Sequence, residues 1–502
     1  MIGFFVIAST GRKQLALAYL VVASMIFYAW WNPIYIILIL LSIMFNYLMG
    51  MEIGKSRSTT SSLRILVFGI TANLLLLVYY KYANFFVDNA NFILNTSLRL
   101  ENIVLPIGIS FFTFTQIAFL VDAYKEGTKE YNFFHYCLFV TFYPHLLAGP
   151  IVHHRELIPQ FSKKSVYSFN NRFVSIGITV FVIGLFKKVC IADTVAAYST
   201  PVFTAAANGS LLTFFETWVA ALAYTFQIYF DFSGYSDMAI GLSYMFGIKL
   251  PFNFHSPYKA TNIIEFWRSW HMTLSRFLRD YLYIPLGGNR KGKMRRHVNL
   301  FITMLLGGLW HGAGWTFVIW GALHGIYLII NHAWIGVKSR TGIVSDTFIG
   351  TWCARILTFF AVVIAWVFFR AENTNTAMSF LKGMFGLNGI CLPEGYQHKL
   401  GFLGNFLSAS GVKFIETEFY FGLPALGLII ILLMIVWFIP NTQQILLRHR
   451  IGLDVHHKLE LSSFWQRFTW TPNIYWAVII FIISIIAIIM VSDTNEFLYF
   501  QF

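Results

Sequence analysis

Apolar runs of about 20 residues recur from one end of this chain to the other, and that repetition limits what it can fold into. A helix of that length matches the hydrocarbon layer of a bilayer. Inside that layer every backbone group has to be paired within the protein, which leaves helices as the spanning form for runs of this kind. The runs are Gln14–Trp31, Pro33–Gly50, Leu63–Tyr80, Ile103–Tyr124, Phe134–Val152, Phe173–Val189, Trp218–Ile248, Val298–Ala333, Trp352–Phe369, Gly422–Ile439 and Tyr475–Val491. Two of them, 218–248 and 298–333, are too long for one crossing and are expected to be tilted, broken or doubled. The pattern predicts an all-α, polytopic integral membrane protein of roughly eleven transmembrane helices, forming one membrane domain over residues 1–502.

Composition agrees. Of 502 residues only 12% are charged, against about 25% in ordinary soluble domains. The net charge of +14 lies in short loops between the runs rather than on one face. Arg12 and Lys13, then Lys55, Arg57 and Arg64, then Lys163, Lys164, Lys187 and Lys188, and later Arg448, Arg450 and Lys458 mark these loops as cytoplasmic by the positive-inside rule. Such a distribution argues against a nucleic-acid partner. Gln14–Trp31 is long enough to span and lacks a small-residue cleavage site, so no cleavable signal peptide is expected. The four cysteines are scattered, with neither CxxC nor metal spacing, and read as small buried apolar residues. No GxSxG, Walker A, GxGxxG or HExxH pattern falls in a suitable place. Gly386–Phe421 reads as a long extracytoplasmic loop and Gln443–Thr471 as a cytoplasmic one.

The densest basic region runs from Lys259 to Arg296. It holds nine lysines and arginines against Glu265 and Asp280, a net +7. Such a segment suits a loop resting on anionic lipid, and equally a funnel for a polyanionic cofactor. Within it Trp267, His271, Ser275 and Arg279 recur at four-residue spacing, which on one helix puts them on one face. Phe266, Leu274, Phe277, Leu278 and Leu282 fall on the other, as in a re-entrant or interfacial helix beside a water-accessible cavity.

An ionisable side chain is costly in a bilayer, so a histidine kept there is a candidate functional group. His311 lies in LLGGLWHGAGW, with Gly307, Gly308, Gly312 and Gly314 around it. Glycines permit close helix packing or a helix break that opens backbone toward a cavity. His324, thirteen residues on, points well away from His311 on an unbroken helix and reads either as a residue supporting the site from behind or as structural. Asp231 and Asp237 either line the same cavity or pair with an arginine for structural reasons, whereas Asp122 and Asp193 read as interfacial. The adjacent pairs His153–His154 and His456–His457 lack metal-ligand spacing.

Several stretches resemble the membrane-bound O-acyltransferase (MBOAT) family, in particular its bacterial polysaccharide branch with the alginate O-acetyltransferase membrane subunit. They are FYAWWNP from Phe27, LPIGISFFTFTQIAFLVDAY from Leu105, FYPHLLAGPIVHH from Phe142, YFDFSGYSDMAIGL from Tyr229, EFWRSWHMTLSRFLRDYLYIPLGGNRKG from Glu265, LLGGLWHGAGWTFVIWGALHG from Leu305, and the final FLYFQF. The resemblance implies a ring of membrane helices around a thinned centre, with a tunnel joining the two faces and a catalytic core at about 100–335. It also implies a full apolar helix before Arg12, where this chain has only Ile2–Ala8, so either the first helix is short or the start lies upstream.

By the same resemblance His311 is the catalytic residue and His271 its companion. The implied reaction is acetyl transfer, without a metal, from cytoplasmic acetyl-CoA to an acceptor across the membrane. His311 is the base for the attacking hydroxyl, with an acyl-histidine as the open alternative. His271 polarises the carbonyl, stabilises the oxyanion or holds the acceptor. Arg279, Arg290 and Lys291 are placed on the CoA phosphates by charge and location alone. The implied partners are a periplasmic or surface-anchored, serine esterase-like acetyltransferase and polysaccharide synthesis machinery at the bacterial inner membrane. The acceptor is an alginate-like exopolysaccharide, cellulose or peptidoglycan. Two alternatives stay open: another donor or acceptor, such as D-alanine passed to teichoic acid or a fatty acyl chain, and a transporter without chemistry.

Overall fold

The computed structural model describes all residues except 57, 101–102, 128–131, 343–346, 416–418, 420–421, 454–460, 492–497 and 499–502. The described elements are helices, apart from a parallel two-residue strand pair, Cys391–Leu392 with Lys413–Phe414, in the loop after Gly386. Among the described residues five helices are long and apolar enough to cross a membrane: Tyr35–Lys55, Thr59–Leu94, Asn171–Ala207, Trp315–Thr341 and Phe348–Arg370. Lys13–Ala29, Gly422–Phe438 and Ile474–Ile489 are shorter apolar helices. Phe214–Met245 and Gly292–His311 are as long but carry more polar side chains. The protein is a multi-pass membrane protein.

Helix starts follow their caps. Asn170 accepts from the amides of Arg172 and Phe173, and Thr213 with Glu216 closes a capping box before Phe214–Met245. The two overlong runs resolve differently. Phe214–Met245 is one unbroken helix of 32 residues, whereas 298–333 is doubled into the hairpin Gly292–His311 and Trp315–Thr341. The Phe134–Val152 run is not a spanning helix. Helix Phe133–Thr141 ends after nine residues and turns follow through 153, where Pro144 and Pro150 remove backbone donors. Ile2–Ser9 is a short helix.

Lys187 and Lys188 do not lie in a cytoplasmic loop. They sit in a π turn, Lys187–Ala192, inside the long helix Asn171–Ala207. Lys187 pairs with Asp237 at 2.6 Å, and Lys188 with Asp193 at 2.6 Å and Asp231 at 2.9 Å. The partners of Asp231 and Asp237 are thus lysines, not arginines, and Asp193 belongs to a buried ion cluster rather than an interface. Asp122 is also buried, accepting from the Tyr281 hydroxyl at 2.7 Å beside His153.

Two apolar cores flank Phe214–Met245. One gathers the N-terminal helices, and the other holds the hairpin 292–341 with helix Phe348–Arg370. The hairpin closes on glycine. A Cβ at Gly308 would collide with the carbonyl oxygen of Phe317, and one at Gly321 with that of Met304. Gly308→Val is therefore expected to pry the hairpin apart at a cost of about 1–3 kcal/mol. A melting temperature in detergent equal to wild type would contradict this packing account.

Candidate active site

The hairpin turns at its apex. His311 is the last residue of Gly292–His311, Gly312 and Gly314 are extended, and Trp315 begins the return helix. The space beside Gly312 that a Cβ would fill is taken by the Phe317 ring. The His311 ring is buried among Trp310, Trp320 and Phe369, with ring centroids at 5.0, 5.1 and 5.1 Å.

His271 faces it from a second break. Helix Ile263–Ser269 ends at an extended Trp270, and Met272–Leu278 starts a new helix. His271 between them has φ +42°, a left-handed conformation rare outside glycine and costly for this residue. The loop at 253–255 holds the break by backbone pairing: His255 donates to the Ser269 carbonyl and Met272 to that of Asn253, both at 2.9 Å. The imidazole is fully buried, edge-on to Phe232, and 6.4 Å from that of His311 between ring centroids. Two helix breaks thus bring two histidines side by side, their rings tilted by 58° to one another.

The break corrects the one-face reading of Trp267, His271, Ser275 and Arg279, which do not share a continuous helix. Trp267 instead donates its indole N–H to Nδ1 of His324 at 3.3 Å. His324 is not remote from His311 either, because the apex turns the chain back and a single ring, Trp320, lies between them at 4.9 Å and 5.1 Å.

Nδ1 of His271 lies 3.3 Å from Oδ1 of Asn253. That oxygen also accepts from the Thr273 hydroxyl at 2.6 Å, while the Asn253 amide nitrogen donates to Ser236 at 3.2 Å. With an acceptor facing Nδ1, that nitrogen carries the ring proton and Nε2 keeps the lone pair; the tautomer is assigned from this network.

The three predicted phosphate ligands are not gathered at the histidines. Arg279 is mostly exposed and holds Asp280 at 2.7 Å, and Arg290 and Lys291 are exposed at the turn before Gly292. Helix rise separates that turn from His311 by about 30 Å, whereas Arg279 follows His271 by only about 12 Å. Arg276, in the same basic segment, is committed to Glu156 in a bidentate pair at 2.6 and 2.9 Å. His456 and His457 lie outside the described residues.

Sequence reasoning missed two residues. Asn253 carries no local pattern. Lys81 does: it is a lone cation one residue past the run taken as ending at Tyr80, and its ammonium sits on the Trp310 and His311 carbonyls at 2.6 and 3.1 Å. The rule that singled out the buried histidines applies to it equally.

Comparison with known proteins agrees with this architecture. The family model described as "MBOAT, membrane-bound O-acyltransferase family" matches residues 15–371. The peptidoglycan O-acetyltransferase of Helicobacter pylori is 40% identical over 470 residues, covering 88% of this chain and 87% of that protein. The probable alginate O-acetylase AlgI of Pseudomonas aeruginosa is 45% identical over 381 residues, covering 75% and 71%. A teichoic acid D-alanyltransferase of Streptococcus thermophilus is 30% identical over 246 residues, covering 46% and 58%. The chain belongs to the membrane-bound O-acyltransferase family and is an O-acyltransferase.

Proposed function

We propose that this protein moves acetyl groups from cytoplasmic acetyl-CoA to the outer face of a bacterial inner membrane, for O-acetylation of an extracytoplasmic polysaccharide. The observation that carries the reading is the pair of buried imidazoles brought to 6.4 Å of one another by two helix breaks within a multi-pass membrane protein. The names of the relatives supply the acyl group and the acceptor class, a cell-wall or secreted glycan. The catalytic core of 100–335 is extended on either side by Lys81 and Phe369, which both touch His311.

In this mechanism His311 removes the proton from an acceptor hydroxyl as the oxygen attacks the thioester carbonyl. The C–S bond then breaks, and the departing thiolate recovers the proton from the imidazolium. His271, with its Nε2 lone pair, accepts a hydrogen bond from a second donor group of the acceptor and so holds the acceptor for attack, a role that suits its tautomer better than donation to an oxyanion. The surrounding indoles exclude water that would hydrolyse the thioester. In this reading Arg279 meets the CoA phosphates, supported by its short helical separation from His271, and Arg290 and Lys291 draw the polyanion toward the mouth. A periplasmic or surface-anchored acetyltransferase receives the group and places it on the polymer.

Donor choice tests this directly. Purified protein is expected to consume acetyl-CoA and not a thioester on a carrier protein; the reverse preference favours the D-alanyl-type reading raised by the teichoic acid relative. Replacing Arg279, Arg290 and Lys291 together by glutamine is expected to raise KM for acetyl-CoA about 5- to 10-fold and to flatten its salt dependence. An unchanged KM would remove the basic segment from donor recognition.

A further inference from the structure

A lysine inside the long membrane-spanning helix Thr59–Leu94 needs a reason, and Lys81 has no carboxylate in ion-pair contact among the described residues. What it has is the open end of another helix. The last four carbonyls of any helix lack an intrahelical partner, and a cation is favoured there. At the end of Gly292–His311 three of them are met by two consecutive side chains. The Tyr82 hydroxyl donates to Leu309 at 2.7 Å, and the Lys81 ammonium to Trp310 at 2.6 Å and His311 at 3.1 Å. It also donates to the Ser110 hydroxyl at 3.4 Å.

Neighbouring side chains on a regular α-helix do not face the same partner. Lys81 and Tyr82 do because they lie in a π turn, Val78–Tyr82, inside the long helix Thr59–Leu94. The ammonium also lies over the Trp310 ring, 5.8 Å from its centroid. This cap holds the residue that carries the catalytic imidazole, at the point where extended glycines leave the helix end without support.

We propose that Lys81, assisted by Tyr82, is a positioning residue: it caps the helix that ends in His311 and thereby fixes the His311 ring for proton transfer. The proposal rests on the acetyltransferase reading above. A positioning role is distinguished from donor binding by which kinetic constant moves. With the full chain in detergent, Lys81→Met is expected to lower kcat about 10- to 100-fold while KM for acetyl-CoA stays within about twofold. Lys81→Arg, which restores a cationic donor, is expected to recover most of the loss. Tyr82→Phe is expected to lower kcat a few-fold, by about the value of one hydrogen bond, and to add little in the Lys81→Met background because both act on one helix end.

The proposal is overturned by Lys81→Met with wild-type kcat, by an effect confined to KM, or by Lys81→Arg as impaired as Lys81→Met. If Lys81→Met does not accumulate, Lys81→Arg and Tyr82→Phe decide, and an unchanged kcat in Tyr82→Phe overturns it. His311→Ala is measured alongside. An active His311→Ala defeats the functional reading as a whole, whereas an inactive one beside a fully active Lys81→Met defeats this inference alone.

Discussion

His311→Ala is expected to reduce acetyl transfer by at least about 100-fold, the scale set by losing a general base. The variant is expected to insert and accumulate like wild type. Its ring bears on Trp310, Trp320 and Phe369, each of which keeps other ring partners when the imidazole is removed: Trp320 meets Phe369 at 5.1 Å and stacks on Trp366 at 5.8 Å, and Trp310 stacks on Phe114 at 5.2 Å. Chemistry is thus lost without the membrane core. Acetyl content of the extracytoplasmic polymer, measured beside the amount of protein in the membrane, separates the two. Normal acetylation with normal accumulation would remove His311 from the mechanism.

The opposite behaviour is expected at Lys188. Its ammonium is the bridge between Asp231, almost wholly buried, and Asp193. Asp231 accepts besides from the Leu498 amide at 3.3 Å. Lys188→Met leaves the almost wholly buried carboxylate of Asp231 and the partly buried one of Asp193 without their shared cation. Breaking a buried pair from one side costs about 3–5 kcal/mol. The variant is therefore expected to melt well below wild type in detergent and to accumulate poorly. Adding Asp231→Asn is expected to return part of the loss, because it removes the stranded charge. A melting temperature unchanged in Lys188→Met would show that the cluster carries no such load.

These two sites also mark what can be read along a chain and what cannot. Helix existence is legible in the apolar runs of spanning length other than Phe134–Val152, and the glycines of 298–333 foreshadow its doubling. Pro144 and Pro150 were visible inside the Phe134–Val152 run, yet apolar content alone made it a helix. Lys187 and Lys188 were read as a loop because charge counting ignores partners. Besides Asp193 close by, the carboxylates that neutralise them, Asp231 and Asp237, arrive from another helix 43 and 50 residues later in the chain. The break at Trp270–His271 was hidden for a similar reason. Periodicity continues smoothly through it, and what stops the helix is backbone pairing with 253–255, a tertiary contact. The histidines themselves were legible, since a polar group kept in an apolar setting stands out. Their facing geometry and the nearness of His324 depend on two turns whose angles no spacing rule supplies.

Sidedness of the label is the most direct test of the central claim, that one buried site serves both faces of the membrane. Oriented vesicles carrying the protein, with an acceptor glycan and its acetyltransferase partner enclosed, are given acetyl-labelled CoA on the cytoplasmic side. The account predicts label on the enclosed glycan, all free CoA left outside, and neither in vesicles carrying His311→Ala. Labelled CoA entering the lumen intact, or transfer that persists without the His311 imidazole, would contradict it.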